Sequence, residues 1–582
     1  MRNMILAGVL TVTILLGWDA AMRYFYPNAN VPKPAAVASA PAAAGATAPG
    51  LTGPAKAADL NSALAAPGRV KIEAPGLSGS ISLTGGVLDD LSTNRHTAEL
   101  DKAKGLERIY SPAGTPKQQF AQFGWTMGDG VPPIALPNAQ TVWAAPAGAK
   151  LTPQSPVTLS WNNGAGQTFT LTYAIDADYM LTVTQGLANA GAVPVAVKPV
   201  AQLNRAKPAA DDKEALDSFN VHAGPFGAFE EVVSFDTDYD DVTEAGTKAN
   251  EGKPDWIGFT DIYWMSTLIP DKKDASSDFR ALKGDVFLAN LFYPQVSIAP
   301  GAADARVTKL FAGAKETTVL DRYEDSGIAN FSLAIDWGWF RWFEKPIFGL
   351  MKWLFASVGN FGVAIMLLTL IVRTVMFPIA QRQFASMAAM KAIQPKMKAI
   401  QDRYKDDKPK QQQEVMALYK AEGVNPLAGC LPIFLQIPVF FALYKVLILA
   451  VEMRHQPFFG WIKDLSAPDP APILNLFGYL NFTPPAFLAI GVLAVLLGIT
   501  MWLQFKLNPA QMDPVQQQVF AIMPWMMMFI MAPFAAGLLL YWITSNVLTI
   551  AQQAYLYSRH PQLKAQTDKD AEDHQRAKAR GK

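Results

Sequence analysis

The C-terminal half of the chain contains five long apolar segments, and the first of them carries an arginine. The segments lie at about 358–380, 430–450, 486–505, 518–533 and 535–556. Their lengths approach the roughly 20 residues that a helix needs to cross a bilayer. Arg373 lies inside the first segment, where an ionised side chain costs at least about 2.5–3.5 kcal/mol. The segments predict a polytopic helical membrane protein, and the arginine is its first candidate functional residue.

Charge is distributed unevenly along the chain. Half of the 582 residues are hydrophobic and 17% are charged, which is typical of a membrane protein with a large soluble part. The net charge is only +1, but residues 51–340 contain 34 acidic and 23 basic side chains. Of the 50 basic and 49 acidic residues in the whole chain, this leaves 27 basic and 15 acidic residues elsewhere. The single cysteine, Cys430, excludes an intramolecular disulfide.

The N-terminal residues predict a membrane anchor followed by a linker. Residues 4–18 are apolar and follow one arginine, which suits either a secretory signal or a short anchor. The small-residue pattern at 38–40 lies too far downstream for usual signal cleavage, which favours an uncleaved anchor over residues 1–26. Residues 27–67 are rich in Ala and Pro, cannot bury a core, and are interpreted as a linker.

Residues 68–330 have the alternating pattern of an all-β domain. Runs such as TFTLTYAIDADYMLTVTQGL are separated by Gly, Asn, Asp and Pro, which predicts many short antiparallel strands and a large two-sheet sandwich. Residues 331–357 are then dense in aromatic side chains, with Arg341 and Lys352 among them. This mixture predicts an amphipathic helix in the membrane interface. The alternative is that the stretch is only the polar end of the next span.

The basic residues between the apolar segments predict the topology. Lys and Arg number nine in residues 381–429 and seven in residues 557–582, but only two in residues 451–485. Positive charge marks the cytoplasmic side. With the anchor, the chain has six predicted spans, so both termini face the cytoplasm and residues of about 20–335 are translocated. The acidic β-domain is then periplasmic, and residues 557–582 form a basic cytoplasmic tail.

The basic loop at 381–428 predicts a cytoplasmic helical hairpin. One apolar stripe recurs at helical spacing: Met387, Met390, Ile393, Met397, Ile400 and Tyr404. The sequence KDDKPK then breaks the helix, and QQQEVMALYKAE resumes it. The stripe either holds the two helices together or binds a ligand, and the packing role is favoured.

The motifs of common enzymes are absent from the sequence. It has neither a phosphate-binding G-x-x-x-x-G-K-[ST] loop nor a dinucleotide-binding G-x-G-x-x-G. No apolar segment contains an aspartate or a histidine, which excludes an intramembrane aspartyl protease and the usual serine–histidine arrangement. No two histidines are spaced for a zinc site. We therefore expect no enzymatic activity, no cofactor and no metal.

A few polar residues lie inside the apolar segments. They are Thr369, Arg373, Gln436, Lys445, Thr500, Gln504, Trp542, Thr544, Ser545 and Asn546. Thr369 and Arg373 are four residues apart and so share one helix face. Two interpretations of Arg373 are open. It faces the bundle interior or a water-filled cavity, which is the default for an intramembrane charge, or its side chain extends along the helix to the membrane interface.

Three sequence stretches resemble the YidC/Oxa/Albino family of membrane insertases. They are IVRTVMFP, YKAEGVNPLAGCLPIFLQIPVFFALY and GLLLYWITSNVLTIAQQ, and the strong resemblance covers about 335–560. The anchor, linker and β-domain resemble the Gram-negative form of the family more weakly. That form implies a periplasmic β-super-sandwich akin to galactose mutarotase and five core spans, residues 358–556, around a hydrophilic groove. The groove is open to the cytoplasm and to lipid.

The resemblance also implies which residues line the groove. The family's groove arginine, threonine and glutamine correspond to Arg373, Thr369 and Gln436, and its aromatic residue corresponds to Trp542. Many Gram-negative members have tyrosine at that last position. Phe440 and Met527 are candidates for apolar contacts with the substrate, since flexible methionines in MPWMMMFIMAP suit varied partners. The methionines could equally be ordinary lipid-facing residues.

The resemblance implies an insertase and chaperone of the bacterial inner membrane, acting alone or with the Sec translocon. Its partners would be nascent membrane proteins and the lipid bilayer, with the ribosome and the signal recognition machinery reached through the hairpin, and no specific nucleic acid. A transporter or channel using the same arginine is the alternative, although the internal repeats common in transporters are not seen. A carbohydrate-binding envelope protein is a weaker alternative, because the only histidines of the β-domain, His96 and His222, lack a supporting carboxylate pattern.

Overall fold

The computed structural model describes residues 59–209, 221–338, 341–405, 407–423, 431–477, 480, 482, 489–507 and 514–559. These residues fall within one compact unit. The expected anchor (1–26), most of the expected linker (27–67), Cys430 and the tail from residue 560 onward lie outside the described residues.

Nineteen strands within the described residues form a β-domain. In chain order they are β1 (Arg69–Glu73), β2 (Leu77–Ser82), β3 (Val87–Thr97), β4 (Leu106–Tyr110), β5 (Gln119–Met127), β6 (Lys150–Leu151), β7 (Val157–Asn162), β8 (Gln167–Ile175), β9 (Met180–Asn189), β10 (Val195–Ala206), β11 (Gly224–Phe229), β12 (Val232–Ser234), β13 (Thr247–Ala249), β14 (Pro254–Thr260), β15 (Trp264–Pro270), β16 (Ser276–Leu282), β17 (Val286–Phe292), β18 (Val296–Ile298) and β19 (Ala303–Ala314). Eleven strands form one sheet, in the order β13-β16-β17-β10-β5-β3-β2-β1-β6, with β18 beside β10 and β4 beside β3. Eight form a second sheet, in the order β12-β11-β14-β15-β19-β9-β8-β7.

Alternating side chains build the core between the two sheets. In β8, successive residues are buried and half-buried in turn, because neighbouring side chains of a strand point to opposite faces. Phe169 and Tyr173 of this strand meet Trp125 and Phe123 of the other sheet, with ring centroids 5.0 and 6.2 Å apart. Burying a ring of this kind contributes about 1.5–3 kcal/mol. The predicted β-sandwich is confirmed, although one short strand pair, β1 with β6, is parallel.

The remaining regular structure is helical. Three helices are short: α1 (Leu60–Leu64), which lies within the expected linker and buries none of its side chains, and α2 (Tyr239–Ala245) and α3 (Thr317–Asp325), which belong to the β-domain. The longer helices that follow are α4 (Arg341–Val358), α5 (Phe361–Arg403), α6 (Lys408–Ala421), α7 (Leu431–Leu449), α8 (Val492–Leu507), α9 (Pro514–Met531) and α10 (Ala536–Arg559). Within the described residues, Phe361–Gln383 is the one stretch long and apolar enough to cross a membrane. Shorter apolar helices cover Gln436–Leu449, Val492–Lys506 and Ala521–Met531. The six predicted spans therefore stay a prediction.

The segment expected to form an interfacial helix becomes helical later than its predicted start at 331. Phe331–Ala334 is instead a 3₁₀ turn. The ring of Phe331 is buried against Trp256 and Phe311 of the β-domain, with centroids 5.8 and 5.3 Å apart. This aromatic packing holds the stretch on the sandwich, so the helix itself, α4, begins only at Arg341.

Helix α4 is amphipathic. Its Phe348, Met351 and Leu354 side chains are buried, whereas Trp342 and Trp353 are exposed. Exposed tryptophans on one face of a half-buried helix suit the boundary between headgroups and acyl chains. Its predicted position in the membrane interface therefore stays a prediction that this arrangement favours.

Helix α5 joins the first apolar segment to the first helix of the hairpin without a break. It runs for 43 residues and contains Pro378 and Pro395. After it, α6 folds back along α5. Lys396 pairs with Glu422 (2.6 Å), and Gln411 donates to the carbonyl of Gln401 (2.8 Å). Residues further along α6 thus meet residues earlier on α5, which makes the pair antiparallel. In the apolar stripe, the side chain of Ile393 is buried.

An arginine that follows α7 connects the helices to the β-domain. Arg454 is buried and donates to the carbonyls of Thr97 (2.7 Å) and Ala98 (3.0 Å) at the end of β3. Glu107 lies 3.5 Å from its guanidinium, which also stacks 5.4 Å above the ring of Trp264. Hydrogen bonds, an ion pair and a cation–π contact thus converge on one side chain.

Two further residues, one near the end of α7 and one just after it, also bond to the β-domain. Glu452 accepts the backbone N–H (3.1 Å) and hydroxyl (2.9 Å) of Thr317, at the start of α3. Lys445, near the end of α7, donates to the carbonyl of Asp336 (3.0 Å). Burial raises the pKa of Glu452 above its ordinary value. We refer to Lys445, Glu452 and Arg454 with their β-domain partners as the junction.

Glu344 on α4 is a buried carboxylate close to this junction. Its Oε2 atom has no hydrogen-bond partner among the described residues. Burial raises the pKa of Glu344 to about 7, the ammonium of Lys445 opposes this shift, and the carboxylate of Asp336 adds to it. The folded state therefore holds this carboxyl group protonated over part of the range in which an unfolded chain has already ionised it.

Replacing Arg454 should loosen the end of β3. Arg454→Met keeps the length of the side chain but leaves the carbonyls of Thr97 and Ala98 without their donor, which costs about 1–3 kcal/mol for each buried group. We expect faster amide exchange at Ala98, whose N–H bonds the carbonyl of Gly105 (3.1 Å). Hydrogen–deuterium exchange with mass spectrometry measures this change. Lys463→Met, at an exposed lysine of the same loop, is the control, and equal exchange in both variants would contradict the role of the junction.

The pKa of Glu344 predicts a pH dependence of stability. Because its folded-state pKa of about 7 lies above the ordinary value of 4.5, the folded protein binds more protons than the unfolded chain between these values. The stabilisation is complete below the ordinary pKa and is lost as the pH rises through 7. Glu344→Gln should therefore raise the unfolding temperature in detergent more at about pH 8 than at about pH 5. Glu251→Gln, at an exposed position, should show no such difference, and a parallel shift at both pH values would contradict the assignment.

Candidate functional site

Arg373 lies within the helical bundle and bonds to a hydroxyl group on the last helix. Its Nε donates to Oγ of Ser545 on α10 (3.1 Å), and its Nη2 donates to the same oxygen. Gln552, further along α10, donates to the backbone carbonyl of Arg373 (3.4 Å). Helices α5 and α10 are therefore joined at the depth of the charge.

The charge of this arginine lacks an acidic partner among the described residues. Within the part of the chain that the structure describes, no carboxylate lies within ion-pair distance of the Arg373 guanidinium. Ser545 is buried, and Arg373 itself is half-buried. Buried charges are ordinarily paired or kept in contact with water. A guanidinium has five N–H donors, and a single hydroxyl oxygen leaves some of them available to water or to a ligand.

A second polar contact joins α7 to α10. The side-chain amide of Gln436 donates to the hydroxyl of Tyr541. Tyr541 lies four residues before Ser545, which puts both on one face of α10. Arg373, Ser545, Tyr541 and Gln436 thus form a polar cluster contributed by three helices, and we refer to these four residues as the polar cluster.

Thr369 is buried one turn before Arg373. Its hydroxyl donates to the carbonyl of Ile365 on its own helix (2.7 Å). A threonine bonded back to its own backbone leaves only its remaining lone pairs for other groups. The predicted role of Thr369 in groove polarity stays a prediction.

Trp542 packs against an aromatic side chain of α7, and its predicted role in the groove stays a prediction. Its ring packs edge to face against Phe440 of α7, with centroids 5.3 Å apart. The residue before it, Tyr541, bonds Gln436 through its hydroxyl. The structure therefore brings Arg373 together with Ser545 and Gln436 together with Tyr541, and it pairs Trp542 with Phe440.

Sequence reasoning singled out Trp542 and missed Tyr541. It also named Ser545 among the polar residues without assigning it to Arg373. The sequence spacing indicates this arrangement. Tyr541 and Ser545 are four residues apart and so share one face of a helix, and Trp542 and Asn546 form a second such pair. Asn546 donates to Thr500 of α8 (3.2 Å), so this second pair belongs to a different face of α10 from the first.

Apolar side chains are exposed on helices α5 and α9. Val375 on α5 and Met526, Phe529 and Ile530 on α9 are exposed. Met527, the candidate substrate contact on α9, is half-buried and packs against the core, as Phe440 does. Such surfaces can contact either lipid or the apolar segment of another protein. Among the residues that the structure describes, no group of His, Cys, Asp and Glu side chains is arranged to hold a metal ion.

Family models match most of the chain. The model of the 60Kd inner membrane protein family matches residues 353–564, and the model of the YidC periplasmic domain matches residues 69–350. The two matches together cover both the helical bundle and the β-domain.

Relatives of known name align over almost the whole chain. The membrane protein insertase YidC of Zymomonas mobilis is 42% identical over 570 residues, which is 96% of this chain and 95% of the relative. The protein of the same name from Ruegeria sp. (strain TM1040) is 44% identical and covers 83% of this chain and 82% of its own. A crystal structure of an active YidC insertase with its first transmembrane domain resolved covers 86% of this chain and 94% of its own, at 19% identity and a TM-score of 0.36.

Removing the hydroxyl of Tyr541 should weaken the bundle. Tyr541→Phe leaves the Gln436 amide without its acceptor, and we expect a loss of about 0.5–1.5 kcal/mol in unfolding free energy. Tyr444→Phe is the matched control, because Tyr444 also lies in the bundle and packs its ring against Phe534. Thermal unfolding in detergent compares the two variants. A loss in Tyr444→Phe as large as that in Tyr541→Phe would contradict the importance of the Gln436 contact.

Proposed function

Because the chain belongs to the YidC family of membrane protein insertases, we propose that its polar cluster is the working surface that draws part of a substrate protein into the bilayer. The family is one of inner-membrane proteins, and the substrates of an insertase are nascent membrane proteins. The finer proposal concerns which residues act and how. It rests on Arg373, Ser545, Tyr541 and Gln436, with Thr369 and Trp542 shaping the surrounding surface.

The observation that carries this proposal is a guanidinium inside an apolar bundle with a hydroxyl as its partner. Had Arg373 only a structural role, a carboxylate partner would neutralise it at lower cost. An arginine bonded to Ser545 keeps its positive charge, and one hydroxyl oxygen cannot accept all five of its N–H donors. It therefore attracts water and acidic or polar segments of a substrate to a depth where hydrocarbon would otherwise exclude them.

The proposed mechanism lowers a barrier and needs no nucleotide. Each bare polar backbone group costs several kcal/mol in hydrocarbon. A polar surface part-way into the membrane replaces some of this cost with hydrogen bonds and with contact to the charge of Arg373. The apolar segment of the substrate then slides along exposed side chains of α5 and α9 and leaves sideways into lipid. Burial of that segment, at about 25 cal/mol per Å², supplies the driving force.

The proposed topology puts this surface within reach of the cytoplasm. Six spans, with the anchor as the first, put both termini and the hairpin of α5 and α6 on the cytoplasmic side and the β-domain in the periplasm. The hairpin carries much of the positive charge of the region 381–429. We propose that it receives substrates from the ribosome or the signal recognition machinery. The protein would act alone or beside the Sec translocon, and as a chaperone for folding spans.

Reconstitution tests the function directly. Purified protein in liposomes should allow a small membrane protein to insert, scored by protection of its translocated segment from protease. We further propose that the polar cluster is closed toward the periplasm, so the same liposomes should show no flux of small ions or solutes. Flux without insertion would favour a transporter or channel and would overturn the proposal.

Arg373 should act as a positive charge rather than through a fixed two-pronged contact. Substrates differ in sequence, so Arg373→Lys should retain substantial insertion although Arg and Lys differ in hydration. Arg373→Ala should lower insertion of substrates with acidic translocated segments by about fivefold or more, the effect of losing about 1 kcal/mol or more. Insertion of neutral substrates should fall less.

The control for these variants is Lys283→Ala, at an exposed lysine of the β-domain. Protein levels are compared by immunoblot, so that a loss of protein is separated from a loss of activity. If Arg373→Ala inserted acidic and neutral substrates equally well, the arginine would be an interfacial anchor rather than part of the working surface.

A further inference from the structure

Six large apolar side chains are exposed in the loop between α7 and α8. They are Ile473, Leu474, Leu476, Phe477, Leu480 and Phe482, and each is between 39% and 54% exposed. We refer to these six residues as the outer apolar patch. Residues 471–505, which include the patch and most of α8, contain no Asp, Glu, Lys or Arg. Soluble surfaces rarely expose such a concentration of apolar side chains without a partner.

In the described part of this loop, five backbone N–H groups donate to carbonyls of the same loop. The N–H of Leu476 donates to the carbonyl of Ile473 (3.0 Å), and that of Phe477 donates to Pro472 (2.9 Å). The N–H groups of Ile473, Leu480 and Phe482 donate to the carbonyls of Ile490, Asn475 and Leu480, respectively. A loop in water has no need to close its backbone bonds internally, whereas a loop in lipid must do so.

A buried carboxylate holds the start of this loop against α8. Asp469 accepts the backbone N–H of Ala471 (3.0 Å) and the indole N–H of Trp461 (3.0 Å) through Oδ1. Its Oδ2 accepts the backbone N–H of Leu493 in the first turn of α8 (2.8 Å). The loop is therefore fixed to the end of a helix and cannot lift away freely.

The side of the bundle on which the patch lies follows from the junction. Glu452 and Arg454, which begin the same connection between α7 and α8, bond to the β-domain. The patch thus belongs to the β-domain side of the bundle, where Phe459 and Trp461 are also exposed. Exposed aromatic residues beside a helix end are typical of the membrane interface.

We propose that the outer apolar patch inserts into the periplasmic leaflet of the bilayer, at the boundary between headgroups and acyl chains. This inference rests on the proposed membrane topology. Lipid is the partner that its chemistry fits, because the patch is uncharged, five N–H groups of its described backbone are bonded within the loop, and the uncharged sequence runs on into the apolar helix α8. Asp469 positions the loop for this contact and so sets how deeply the bundle sits in that leaflet.

Depth-dependent fluorescence quenching tests the proposal in proteoliposomes of the full chain. The single native cysteine is replaced in Cys430→Ser, and Leu474→Cys and Leu480→Cys are made separately, so that failure of one variant to fold leaves the other. Each is labelled with a polarity-sensitive dye. Phospholipids carrying a nitroxide near the head of the acyl chain should quench both labels more than phospholipids carrying it near the methyl end. Iodide in the buffer should quench them several-fold less than a label in water.

Two matched positions calibrate the measurement. Val142→Cys lies on the β-domain at a residue 68% exposed and should respond to iodide. Val375→Cys lies on α5 at a residue 73% exposed and should respond to the deeper nitroxide. If Val375 is quenched from lipid while Leu474 and Leu480 behave like Val142, the inference is wrong and the topology stands.

Two other outcomes would also overturn the inference. If Val375 is quenched by iodide, the membrane position of α5 is wrong and the inference fails with it. If the loop labels are exposed to iodide in liposomes but shielded in native membrane vesicles, the patch is covered by another protein rather than by lipid.

Discussion

A positive charge held by a hydroxyl inside an apolar bundle is the constraint on which the proposed working surface depends. The Arg373–Ser545 contact joins α5 to α10. The first and the last helix of the predicted five-span core are therefore in contact at the charged side chain. Hydrogen bonding keeps the guanidinium in place without cancelling its field. A carboxylate in the position of Ser545 would give a tighter pair and a neutral one. The proposed attraction of polar segments into the membrane therefore needs the weaker partner that is present.

Helix α7 connects this polar cluster to the β-domain. Gln436, near its start, bonds Tyr541 in the cluster, and Lys445, near its end, bonds Asp336. The residues directly after the helix, Glu452 and Arg454, complete the junction. A shift of the β-domain relative to the helices would thus pull on a helix that contributes to the cluster. The junction is built from buried polar contacts, which are specific in geometry and costly to leave half-formed.

Exposed aromatic and apolar side chains recur at several places outside the cluster. Helix α4 exposes Trp342 and Trp353, and the loop after α7 exposes Trp461 together with the outer apolar patch. Exposing these side chains to water is unfavourable, and an apolar medium around them would remove that cost. We therefore expect the proposed membrane contact to include α4 and the loop after α7 in addition to the long helices.

The sequence by itself determined the class of the protein and the presence of one arginine, Arg373, well inside an apolar segment. Apolar segment length, alternation in residues 68–330 and the isolated Arg373 are local properties, because they depend on helix rise, strand pleat and the cost of a charge in hydrocarbon. The resemblance of three short stretches then indicated the family, and the matches over the whole chain confirmed it. Tertiary structure decided which side chains meet. Tyr541 and Trp542 are neighbours in sequence, but about 100° of helix rotation separates them, so one bonds Gln436 and the other packs on Phe440. Arg454 reached β3 across more than 350 positions of chain, and no periodicity could reveal a contact that only the packing of two separate parts creates.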